Sequence, residues 1–247
     1  MYGVVPAAGK GTRLHPLTDE TPKGLVTVDG RPLVSHVFDR LLEAGVDELV
    51  VVVGYELDRL IGHYGDAYRG LPITYVHQRD QLGLGHAVAR CESVVSGPFV
   101  VCNGDNVFQR PQRTALTRAR DETVDAVLVT EEVSREDATK TGVIEIDDSQ
   151  VGATGGSRVE RVVEKPDTPP SRLSTTGWYV LPEEIFDALA LLRPSNRGEY
   201  ELSDAVSLLA QAGATVETVP LNGWRVNINT TEDVDRAEHL RQKRDSE

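Results

Sequence analysis

The chain has 247 residues, enough to bury a substantial core without disulfide or metal support. Its formal net charge of −13 and isoelectric point near 4.9 exclude ordinary nucleic-acid binding, because a phosphate backbone requires a basic face. The longest apolar run, Leu49 to Val53, is far too short to cross a bilayer, and no basic segment leads into an apolar stretch at the N-terminus, so a cytoplasmic protein that does not bind membranes is expected.

The first expected element is a buried strand, Tyr2 to Ala7, that feeds a glycine-bearing turn, Gly9 to Gly11. After Pro32 the positions Leu33, Val34, Val37, Leu41 and Leu42 recur at helical spacing and stop at Gly45. Glu48 to Val53 is near-continuous β-branched sequence, typical of a strand covered on both faces. Alternation continues with a helix over 57–63, a strand over 73–77, a helix over 85–94 and a strand over 99–102. That order predicts an α/β fold, a Rossmann-like, doubly wound and mostly parallel sheet that binds ligands beyond the carboxyl ends of its strands.

From about Asp125 the pattern changes to strands with turn-rich links, over 126–133, 143–146, 159–164 and 176–181. Helices return over 183–192, 203–212 and 231–241. No Pro/Ser/Gly linker divides the halves, so the second half reads as an antiparallel elaboration on the first sheet within one domain, 1–247. No further domain is expected after the last helix. Cys91 and Cys102 lie in apolar contexts and are expected to be buried, inert thiols. Lysine occurs only at Lys10, Lys23, Lys140, Lys165 and Lys243. An acidic, lysine-poor surface suits a halophilic, high-salt cytoplasm, although a GC-rich genome also favours arginine.

The loop Ala7-Ala8-Gly9-Lys10-Gly11-Thr12-Arg13-Leu14 lets backbone N–H groups approach phosphate oxygens, with Lys10 and Arg13 adding positive charge. A dinucleotide-binding loop would need glycine where Leu14 stands, and a Walker A loop would need Ser or Thr where Gly11 stands. The continuation Pro16-Leu17-Thr18 and Thr21-Pro22-Lys23-Gly24-Leu25 makes the stretch resemble the GxGTRL-x-P-x-T and PK signature of the nucleotide-sugar pyrophosphorylases. Its opening is similar to that of bacterial UTP–glucose-1-phosphate uridylyltransferases. The resemblance implies that Ala7, Ala8, Gly9, Gly11, Thr12 and Arg13 hold the nucleotide, that Arg13 promotes reaction and that Lys23 contacts the phosphates of both substrates. Fixed cations offset the repulsion between two polyanions and the charge developing at phosphorus.

Gln78 to Ala87 resembles the family's base-recognition loop, with Gln78 and the Gly83 backbone at the base edge. An amide carries a donor and an acceptor together and suits the imide edge of uracil or thymine. Asn103-Gly104-Asp105 follows a strand end, where Asp105 matches the family's metal-binding aspartate; the same tripeptide also suits a plain tight turn. By the same similarity Gly142 approaches the sugar, Glu164 accepts hydrogen bonds from sugar hydroxyls, Lys165 neutralises the sugar phosphate, Thr175 lies on a further sugar-contacting strand, and Gly198 to Asp204 forms a helix start. The resemblance runs from about residue 2 to about residue 236.

Near the C-terminus Asn227 stands where many relatives carry a second metal-binding aspartate, as it does in N-acetylglucosamine-1-phosphate uridylyltransferases. The resemblance therefore implies Mg²⁺ held by Asp105 and Asn227, and transfer of a nucleotidyl group from UTP or dTTP to a sugar 1-phosphate, glucose 1-phosphate being the first expectation. The acceptor phosphate is already ionised at neutral pH, so neither a general base nor a protein nucleophile is needed. His15, His36, His63, His77, His86 and His239 show no ligand spacing and read as structural. Alternatives are another acceptor (N-acetylglucosamine 1-phosphate, mannose 1-phosphate or a phosphorylated alcohol) and a non-catalytic binding relative. Whether the chain forms a homo-oligomer stays open.

Overall fold

The computed structural model describes residues 1–54, 57–151 and 157–244. β1 (Tyr2–Pro6) leads through two short 3₁₀ turns to a ribbon of β2 (Thr27–Val28) and β3 (Arg31–Pro32). α1 (Leu33–Ala44) buries Leu33, Val34, Val37, Phe38 and Leu41, and Gly45 ends it by donating its N–H to the Leu41 and Leu42 carbonyls. β4 (Glu48–Val53), α2 (Leu57–Tyr64), β5 (Ala67–Tyr68), β6 (Leu71–His77), α3 (Leu84–Ala89), β7 (Phe99–Cys102), β8 (Asn106–Phe108) and α4 (Arg113–Arg118) follow. The rest comprises β9 (Ala126–Glu132), β10 (Gly142–Val151), β11 (Ser157–Glu164), β12 (Leu173–Leu181), α5 (Ile185–Leu191), α6 (Leu202–Gln211), β13 (Val216–Pro220), β14 (Arg225–Asn227) and α7 (Thr231–Arg244).

The main sheet is mixed, in the order β10-β11-β13-β9-β12-β7-β1-β4-β6-β5. β7, β1, β4 and β6 run parallel, whereas β12 pairs antiparallel with both β7 and β9 and so joins the two halves in one ladder. Alternation along β4 sends Val50 and Val52 into a core with residues of α3, α5 and α6, and Leu49, Val51 and Val53 into a core with residues of α1, α2 and α4. Burying each such Val or Leu contributes about 1.5–3 kcal/mol. A third, smaller core gathers Leu14, Val28, Leu33, Val107, Val226, Ile228, Val234 and Ala237, and it seats the two-stranded antiparallel β8–β14 ribbon beside the first loop.

The elaboration of the second half is not wholly antiparallel: β13, which its sequence did not announce, runs parallel to β9. α3 ends at Ala89 instead of 94, because the next residues form turns, and Cys91 lies in those turns. Both cysteines are free and buried. Burial pushes the Cys91 thiol up to about 12 and the Cys102 thiol well above its ordinary value, so neither is a nucleophile. Among the described residues no helix is long and apolar enough to cross a membrane.

Candidate active site

A cleft of about 610 Å³ opens at the carboxyl ends of β1, β6 and β7. It brings together Ala7, Ala8, Gly9, Arg13 and Lys23 after β1, Gln78 and Gly83 after β6, Asp105 after β7, Gly142 in β10, Glu164 and Lys165 at the end of β11, Thr175 in β12 and Asn227 in β14. Gly11 and Thr12 do not line it. Gly11 adopts a φ of 66°, and a Cβ there would lie 2.9 Å from Cβ of Lys23, so this glycine seats the lysine from behind. Thr12 is exposed at the start of a 3₁₀ turn whose last residue, Leu14, is buried.

The cationic part of the cleft is a closed network. Lys23 Nζ donates to Asp105 Oδ2 at 2.8 Å and to Asn229 Oδ1 at 3.3 Å, and Arg13 Nη2 donates to the same Asn229 oxygen at 3.0 Å. Asn229 Nδ2 in turn donates to Asn227 Oδ1 at 2.7 Å. The backbone holds this geometry: Asn227 pairs with Asn106 across β14 and β8, and the Ile228 N–H bonds the Asp105 carbonyl at 2.8 Å. Asn229 was not foreseen, because its meaning depends on the pairing of two sequence-distant three-residue strands, too short to show any periodicity. Arg225 also lines the cleft, held by Glu131 at 2.7 Å and by Asn106 Oδ1 at 2.9 Å.

One carboxylate and one amide oxygen, on adjoining backbone segments and beside an ammonium already paired with the carboxylate, form a donor set that suits a hard divalent cation. Such an ion takes a few protein oxygens and completes its shell with phosphate and water. The Asn227 oxygen keeps a second lone pair while it accepts from Asn229.

The Gln78 amide behaves differently from the sequence expectation. Its nitrogen donates to the Gly83 carbonyl at 3.2 Å and meets His86 Nδ1 at 2.9 Å. Both N–H groups are thus engaged within the protein, and a two-point donor–acceptor pairing with a base is not offered by this side chain.

At the β11 end, a Cβ on Gly142 would lie 3.0 Å from both Glu164 Oε2 and Thr175 Oγ1, so these oxygens converge. Lys165 Nζ and Arg197 Nη1 stand 3.7 Å and 3.8 Å from Glu164 Oε1, and Ser203 Oγ donates to Oε2 at 3.4 Å. Burial raises the Glu164 carboxyl above its ordinary range, Lys165 opposes the shift, and the neighbouring Glu201 adds to it. Lys140, Glu199, Glu201 and Ser203 complete this lining. The rarity of lysine could have flagged Lys140, since three of the chain's five lysines, Lys23, Lys140 and Lys165, line the cleft.

A carboxyl whose pKa is raised on folding stabilises the fold below its unfolded pKa, and that contribution is lost as pH rises through the folded value. Glu164→Gln is therefore expected to raise the unfolding temperature at pH 7.5. The gain should vanish near pH 4, about where an ordinary glutamate protonates. Thermal unfolding of both proteins at the two pH values checks the sign.

Gly177 anchors the floor of the cleft. Its φ is 80°, and a Cβ there would lie 2.7 Å from Asn106 Nδ2 and 2.8 Å from Asn103 Nδ2. Its carbonyl accepts the Asn103 N–H at 2.9 Å. Gly177→Ala is expected to destabilise the fold by about 1–3 kcal/mol plus the clash, seen as a drop of several degrees in Tm.

A sequence profile of the family described as nucleotidyl transferase matches residues 2–231. The chain belongs to the nucleotidyl transferase family. This nucleotidyl transferase is 45% identical over 243 residues to the UTP–glucose-1-phosphate uridylyltransferase AglF of Haloferax volcanii, covering 98% of this chain and 97% of that one. It is 32% identical over 235 residues to a glucose-1-phosphate thymidylyltransferase of Streptomyces griseus, covering 94% of this chain and 64% of the relative. Among solved structures, UDP-glucose pyrophosphorylase complexed with UDP-glucose superposes with a TM-score of 0.87 at 25% identity, over 98% of each chain. The α/β architecture with a mixed sheet is thus that of its nucleotidyl transferase relatives.

Proposed function

We propose that the chain transfers a uridylyl group from UTP to glucose 1-phosphate, forming UDP-glucose and releasing pyrophosphate. The observation that carries this reading is that a single cleft joins Arg13, Lys23 and Asp105 to Gln78 and Gly83 and to Glu164 and Lys165. Similarity over nearly the whole chain to a relative named for UTP and glucose 1-phosphate supports it.

In this reading the backbone of Ala7, Ala8 and Gly9 and the guanidinium of Arg13 hold the triphosphate, while Gly11 and Thr12 support that loop from outside the lining. Glu164, Gly142 and Thr175 receive the sugar, and Lys165 neutralises its phosphate. An oxygen of that phosphate attacks the α-phosphorus in line, and pyrophosphate leaves from the opposite side. Lys23 spans both phosphates, and positioning with charge stabilisation carries the rate. Mg²⁺, for which Asp105 and Asn227 would be the protein ligands, supplies neutralisation of phosphate charge when bound. Residues up to about 124 form the nucleotide half and 125–247 the acceptor half of one domain, built on a Rossmann-like, doubly wound core. The acidic, lysine-poor composition suits a halophilic cytoplasm.

A pyrophosphate-release screen tests the assignment, with UTP, dTTP, CTP, ATP and GTP each offered glucose 1-phosphate, N-acetylglucosamine 1-phosphate or mannose 1-phosphate. Release is expected only when UTP or dTTP and a hexose 1-phosphate are both present; equal turnover with ATP or GTP overturns the base assignment. A charge argument adds a further expectation. With Asp105 as the only carboxylate ligand, Asn227→Asp should lower the Mg²⁺ concentration that gives half-maximal rate, and Asn227→Ala should raise it. An unchanged midpoint in an active Asn227→Ala enzyme removes that residue from the metal site.

A further inference from the structure

We infer that His86 is a specificity-determining positioning residue: by accepting one N–H of Gln78 it fixes that side chain so that an oxygen, not a nitrogen, meets the base.

A carbonyl oxygen can only accept, so the Gln78 terminal atom 3.2 Å from the Gly83 carbonyl is the NH₂ group. The same nitrogen lies 2.9 Å from His86 Nδ1. A donor facing a ring nitrogen requires a lone pair there, so His86 is neutral and carries its proton on Nε2. One N–H is directed to each partner, which leaves Oε1 as the one polar atom of the side chain available to a ligand. Gln78 lines the cleft and is only 4% exposed, and its backbone is pinned at the end of β6 by an N–H bond to the Val53 carbonyl at 2.8 Å. A wrongly turned amide could not relax into bulk water.

This inference rests on the assignment of Gln78 to the base. Uracil and thymine present an N3–H donor, which an oxygen accepts. Cytosine presents a bare N3 lone pair at the same ring position, which an oxygen repels. The fixed amide thus reads the protonation pattern of the ring and does not distinguish UTP from dTTP.

The test compares kcat/KM for UTP and CTP, with thermal unfolding as a check of folding. His86→Leu fills similar space without an acceptor, leaving one N–H of Gln78 unpaired. The preference for UTP over CTP should then fall about tenfold, the size expected when a buried donor loses its partner. His86→Asn, whose amide oxygen can accept, should recover most of it. In a Gln78→Leu background, His86→Leu should have no further effect on the ratio, because the two residues act as one unit. An unchanged ratio in His86→Leu beside a collapsed ratio in Gln78→Leu overturns the role of His86 and leaves the base assignment standing. An equal loss from His86→Leu in both backgrounds also overturns it. Equal use of CTP and UTP by the wild-type enzyme overturns both readings.

Discussion

Lys23→Ala is expected to lower kcat and kcat/KM together, by about 10²-fold or more, the loss typical of removing one preorganised group that faces developing charge. Lys23 is held before substrate arrives: its ammonium is 2.8 Å from Asp105 and 3.3 Å from Asn229, its side chain is only 13% exposed, and Gly11 leaves room for its stem. A group so placed needs little reorganisation to meet the phosphates. Steady-state kinetics at saturating Mg²⁺ decide the matter. A variant with intact kcat and only a raised KM would show that Lys23 binds substrate without favouring the transition state.

Asp105→Asn should reduce the rate by about 10²- to 10³-fold while having the opposite effect on one binding step. Without divalent cation, the native carboxylate repels a triphosphate and holds Lys23 in an ion pair. Removing its charge relieves both effects, so UTP binding measured by calorimetry in EDTA should become tighter. In the same assay Lys23→Ala should bind more weakly. If both variants weakened binding in EDTA, Asp105 would be acting through the shape of the loop and not through charge.

Much of this arrangement was legible in the residues. The β-branched run at Glu48 to Val53 and the helical spacing from Leu33 announced the parallel half, because hydrophobic period alone sets those elements. The loop from Ala7 to Lys23 and the Glu164-Lys165 pair marked two ends of a cleft that the sheet does bring together. What stayed hidden depends on contacts between distant residues. The strands β8 and β14 are short and lie far apart in sequence, so the bridge Asn229 builds between Arg13, Lys23 and Asn227 could not be seen. Gln78 was found, but its orientation was not, since that is decided by Gly83 and His86 together. β13 was missed because its five residues, Val216 to Pro220, carry Glu217 and Thr218 at the centre and end on a proline, so they show neither an apolar run nor a clean alternation.

The antiparallel pairing of β12 with β7 also governs how the enzyme can move. Cys102, just before the Asp105 loop, is the register partner of Trp178, which directly follows the Thr175 to Gly177 segment on the facing wall, and Asn103 and Gly177 share a backbone bond. A clamshell enzyme admits cargo by flexing a joint between two lobes. Here the walls are neighbouring rungs of one ladder, and spreading them would break rungs. Traffic through the cleft must therefore be handled by side chains and rim loops over a stationary frame. Crystals of the free protein should accordingly accept soaked nucleotide without cracking, with the strands superposing before and after.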